Sequence, residues 1–86
     1  MTTRERLVKR IIEISNIIAV SSRENKMVEY LEETFKNTNY SIEIDNIGNV
    51  TLKKKGKFVG EKSLVFAHID EIGVIVRKIS EDGFIY

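Results

Sequence analysis

Ala67-His68-Ile69-Asp70-Glu71-Ile72-Gly73 is the stretch of this chain whose residue types and spacing suit chemistry. It follows the apolar run Leu64-Val65-Phe66-Ala67, and open α/β sheets place their ligands at the carboxyl ends of buried strands. His68 and Asp70 are two apart, so on a strand both side chains point to one side and Ile69 to the other. A metal-binding histidine commonly has its second ring nitrogen held by a carboxylate or carbonyl, and Asp70 stands where it can do that. Gly73 lets backbone pass close to such a site or to a bulge. Two readings are open on these residues alone. His68 is a metal ligand steadied by Asp70, or the two form a structural hydrogen-bonded pair. A metal site needs three or more ligands, and this chain offers a single imidazole.

Composition narrows the choice. In 86 residues there is one His and no Cys, so disulfide frameworks and thiolate zinc sites are excluded. Metal chemistry therefore needs carboxylates or residues beyond this sequence. Residues 1–43 carry seven basic and seven acidic side chains, and 44–86 carry seven and six, so no half is a nucleic-acid face. Lys53 to Lys57 is basic but lacks interleaved aromatics, which fits a solvated hairpin end or a charged edge that blocks aggregation. No apolar run approaches the ~20 residues that cross a bilayer. Met1 to Arg10 is charged where a signal peptide needs an apolar stretch, so the expected location is cytoplasmic.

The elements that must position the motif can be read from periodicity. Thr2-Thr3-Arg4-Glu5 has capping-box spacing, and Leu7, Ile11, Ile14 and Ile18 follow as one helical stripe. Ser21-Ser22-Arg23-Glu24 has the same spacing and is expected to start a second helix with Met27, Val28, Leu31 and Phe35 buried. After Asn39 the period becomes two: Tyr40, Ile42 and Ile44 alternate, Asp45 to Asn49 turns, and Val50 and Leu52 resume. Leu64 to Ala67 reads as a strand buried on both faces, Gly73 to Ile79 as another, and Phe84-Ile85-Tyr86 as a return strand after the Ser80–Gly83 turn. The expectation is an α/β fold, two helices followed by about five strands in a partial mixed sheet.

Three motifs in order carry a resemblance. Val20-Ser21-Ser22-Arg23-Glu24 resembles a Gly-Val-Ser-Gly-x-Glu element, Asp45-Asn46-Ile47-Gly48-Asn49 an Asp-x-x-Gly-Asn strand turn, and residues 67–73 an Ala-His-x-Asp-Glu-Ile-Gly signature. Asp82-Gly83-Phe84 matches the hairpin that follows. Together, over nearly the whole chain, they resemble the N-terminal segment of the co-catalytic dinuclear metallo-aminopeptidases of the glutamyl/deblocking type, often labelled endoglucanase or cellulase M. Ser22 and Ala19 stand where that family usually has Gly.

The resemblance implies the zinc-peptidase type of α/β domain and two divalent metal ions, zinc or cobalt, in a full-length enzyme about four times longer. It implies His68 as the first metal ligand and Asp70 as the catalytic-site aspartate that orients it; Glu71 carries no implied role. It also implies that residues 1–86 end near the start of an inserted β domain used for assembly, so a homo-oligomer is expected, with a peptide as substrate. The isolated chain is expected to be inactive and to hold no ordered metal. Two alternatives stand beside this reading. One is a truncated, self-associating, non-catalytic domain. The other is glycoside hydrolysis, for which the adjacent Asp70 and Glu71 make a poor pair because they point apart on a strand.

Overall fold

A computed structural model describes all 86 residues. The first helix, α1, spans Thr3–Ser15. Its start is the expected capping box: the Thr2 hydroxyl accepts from the Glu5 amide at 3.1 Å, and the Glu5 carboxylate accepts from the Thr2 amide at 2.8 Å. Two of the orphan amides of the first turn are thereby satisfied. The second helix, α2, spans Asn25–Phe35. It begins differently from the expectation. Glu24 is its N-cap and makes no side-chain capping bond, while Ser21 and Ser22 belong to the preceding turn. Thr38 closes the far end, its amide and hydroxyl both donating to the Phe35 carbonyl.

An antiparallel hairpin follows, β1 at Ser41–Ile44 and β2 at Val50–Lys53, with Ile42 opposite Leu52. The alternation places Ile42, Val50 and Leu52 at half-buried positions and their neighbours in solvent. Asp45 sets the turn. Its carboxylate accepts from the amides of Ile47 at 3.0 Å and Asn49 at 2.9 Å and from the Asn49 side chain at 2.8 Å. Gly48 sits at φ 90°, where a Cβ is strongly disfavoured. These Asn49, Ile47 and Gly48 contacts hold the Asp45 carboxyl below its ordinary range, the Asn49 bonds contributing most.

The α/β class holds, with two of the expected five strands formed. Leu64 to Ala67 is not a central strand: Leu64, Val65 and Phe66 are 84%, 93% and 87% exposed. The physical reason is the absence of partners. A strand buried on both faces needs ladder neighbours and a covering layer on each side. Here the segment instead lines one side of an open groove of about 550 Å³ that it shares with β2 and the 47–49 turn. Residues 73–79 likewise form no ladder strand, and the Phe84–Tyr86 return makes an isolated Ile79–Ile85 bridge and not a strand. That last hairpin is nonetheless closed: the Ser80 amide donates to Phe84 O at 2.8 Å, Tyr86 to Lys78 O at 2.8 Å, and Gly83 takes φ 86°.

Only Ala19 and Met27 are buried. The α2 stripe is half covered, whereas the α1 stripe faces solvent, with Leu7 and Ile11 more than half exposed; Ile18, expected in that stripe, lies beyond the helix end at Ser15 and is exposed as well. The helices are tied by polar contacts: Arg10 donates to the Tyr30 hydroxyl at 2.6 Å, and that hydroxyl donates to Glu13 at 2.9 Å. No helix is long and apolar enough to cross a membrane.

Candidate metal centre

The site is assembled where the α1–α2 connection meets the 68–73 segment. The Glu71 amide donates to Ala19 O at 2.8 Å, and the Glu71 carboxylate accepts from the Ala19 amide at 3.3 Å. Val20 forms a single parallel bridge with Glu71, and its side chain packs over Gly73. Glu71 thus acts as a backbone clamp, a role the sequence does not signal. The turn after Val20 closes with the Arg23 amide on Val20 O at 2.8 Å. Ser22 makes that turn possible by adopting φ 66°, the left-handed region that favours glycine. The family resemblance puts Gly at this position, and the structure supplies the reason.

His68 and Asp70 meet without lying in a strand. The His68 Nδ1 is 2.9 Å from the Asp70 carbonyl oxygen and 3.0 Å from Asp70 Oδ1. Both partners are oxygen acceptors, since the Asp70 carboxyl is held below its ordinary range, first by the Ser21 hydroxyl and then by His68. These partners assign the proton of a neutral imidazole to Nδ1. Nε2 then keeps its lone pair for a ligand. The His68 side chain is 84% exposed, so that nitrogen is accessible.

Asp70 is anchored from its other side as well. The Ser21 hydroxyl donates to Asp70 Oδ2 across a sequence separation of 49. Ser21 is where the sequence reading points elsewhere: its spacing to Glu24 suggests a helix cap, and no local pattern links it to Asp70. Val20, Ser21, His68, Asp70 and Gly73 share an open cleft of about 470 Å³.

The donor chemistry fits a metal in part. An imidazole with one nitrogen held by a carboxylate and the other open is the arrangement expected of a ligating histidine. No group of three or more His, Cys, Asp or Glu side chains stands close enough here to hold an ion by itself. The chain therefore offers one candidate ligand and a carboxylate beside it, not a full coordination sphere.

The cleft places one carboxylate-supported histidine within an α/β frame, and comparisons with known proteins give the family. Residues 48–86 match the family model described as M42 glutamyl aminopeptidase. A protein of Acetivibrio thermocellus assigned as an aminopeptidase is 41% identical over 71 residues, covering 83% of this chain and 21% of that protein. The lysyl aminopeptidase of Pyrococcus furiosus is 34% identical over 80 residues, covering 92% of this chain and 22% of the relative. The glutamyl aminopeptidase of Lactococcus lactis is 30% identical over 78 residues, covering 90% and 22%. The chain thus spans about a fifth of the length of the curated relatives it matches. No solved structure matches it. The chain belongs with the M42-type aminopeptidases, and these matches support an N-terminal segment of such an enzyme. M42 is a metallopeptidase family, which supports metal use in general.

Proposed function

We propose that this chain supplies the first metal ligand of a cytoplasmic, homo-oligomeric metallo-aminopeptidase that removes residues from peptide N-termini. The observation that carries the reading is the 3.0 Å contact of His68 Nδ1 with Asp70 Oδ1, which leaves Nε2 open. His68 is the ligand; Asp70 fixes its ring orientation and keeps the proton on Nδ1. Two divalent ions, zinc or cobalt, would supply an activated water for attack on the peptide carbonyl when bound. The loop around Ser21 and the Glu71 clamp hold the two side chains in place while the remaining ligands come from outside residues 1–86. Glycoside hydrolysis is disfavoured, because Asp70 is bonded to His68 and Ser21 while Glu71 is bonded to Ala19, so the pair does not face a common substrate.

The test is aminopeptidase activity of the full-length polypeptide carrying this segment, on aminoacyl-p-nitroanilides with added zinc or cobalt. His68→Ala should lower kcat by 100-fold or more, in the range of lost metal ligation. The 86-residue chain alone should release no product. Full activity of the His68→Ala enzyme would overturn the reading.

A further inference from the structure

We propose that Ser21 is a positioning residue of this site: through Asp70 it holds the His68 ring with Nε2 presented. The inference rests on the reading of His68 as a metal ligand. It starts from the two oxygens of one carboxylate. Asp70 Oδ1 takes the His68 contact, and Oδ2 accepts from the Ser21 hydroxyl. The carboxylate torsion of an aspartate is broad and roughly two-fold, with little intrinsic preference to hold it. A single hydrogen bond to His68 would let the group swing. A second bond on the far oxygen fixes the carboxylate plane, and with it the imidazole.

Ser21 is itself held from several sides. Ala19 is 1% exposed and its backbone is paired in both directions with Glu71. Val20 is bridged to Glu71 on one side and to Arg23 on the other. Ser22 bends the chain through the left-handed region directly afterwards. The hydroxyl is thus delivered by a tight turn registered on the same segment that carries Asp70. The residue next to the aspartate anchors the turn that in turn anchors the aspartate. Because Ser21 is exposed, a threonine methyl has room there, so Ser21→Thr keeps the hydroxyl without crowding.

The experiment uses the full-length enzyme loaded with cobalt(II). Affinity is read by chelator competition, the site by the visible absorption of the ion, and turnover by kcat and KM separately. Ser21→Ala should weaken cobalt(II) binding by about 10-fold, the lower end for loss of an outer-shell partner. It should also alter the absorption band and lower kcat with little change in KM. Ser21→Thr should restore all three. His68→Ala is the reference. If His68→Ala loses the ion while Ser21→Ala binds it as wild type does, the role given to Ser21 is wrong and the site reading stands. If Ser21→Thr is as impaired as Ser21→Ala, the effect is loop packing and not the hydroxyl, which again overturns the proposal. If His68→Ala binds cobalt(II) normally, the site reading fails and the proposal falls with it.

Discussion

The Val20 side chain occupies the space in which a Cβ at Gly73 would stand. Gly73 is thus a close-approach glycine, needed for room rather than for a left-handed backbone. Gly73→Ala should force the α1–α2 connection away from the site segment, at a cost of about 1–3 kcal/mol typical of overpacking. In the full-length protein the melting temperature should fall. Pairing it with Val20→Ala should recover only part of the loss, since the Cγ atoms leave but the residue-20 Cβ still stands 3.1 Å from the new one. A Gly73→Ala protein as stable as wild type would show that the contact is not formed.

Ser22 carries a conformational cost that glycine would not. A non-glycine residue at φ 66° is disfavoured by about 1–2 kcal/mol. Glycine relieves that strain but loses more chain entropy on folding, so Ser22→Gly should be stabilising by no more than about 1 kcal/mol. Ser22→Val should be strongly destabilising, because a β-branched side chain tolerates this region worst. Thermal denaturation of the two variants should place them on opposite sides of the wild type.

The Asp45 turn has a defined acid response. Its carboxyl is held below the ordinary range chiefly by the Asn49 bonds, so the charged form is favoured in the folded hairpin. The sign follows from linkage: the contribution is fully present above the unfolded-state value and is lost as pH falls through the lowered folded value. The amide resonances of Ile47 and Asn49 should therefore titrate below the usual carboxylate range. In Asp45→Asn they should show no such step. A titration at the ordinary value would contradict the turn geometry.

The exposed apolar strips predict how the segment behaves when purified by itself. Its accessible area is 8525 Å², against about 5,200 Å² for a folded monomer of 9.9 kDa. Its radius of gyration is 17.8 Å, against about 12 Å for a compact domain of this length. Leu7 and Ile11 on α1, Ile18 just beyond it and Leu64 to Phe66 are among the uncovered apolar residues. Sedimentation should show concentration-dependent association, and a hydrophobic dye such as ANS should bind. A strictly monomeric profile at high concentration without dye binding would count against this.

Much of the local structure is legible in the residues themselves. The Thr2–Glu5 box, the 3.6-residue stripe of α2, the two-residue alternation of β1 and β2, and the Asp45–Gly48 turn each depend on partners within a few positions. His68 and Asp70, two residues apart, belong to the same class, and their contact could be anticipated from spacing.

Tertiary structure decided what short-range pattern cannot encode. Ser21 has the spacing of a helix cap, yet its hydroxyl is drawn to a carboxylate distant in sequence. Glu71, without an assigned part, ties the α1–α2 connection to the site. Leu64 to Ala67 has the composition of a central strand and stays outside any ladder, because strand pairing is a contact between segments and its neighbours are not in place. The sequence alone determined the Asp45 turn, the Thr2–Glu5 cap and the histidine with its aspartate. Which distant groups hold that pair, and which apolar faces find cover, depended on how the segments meet in space.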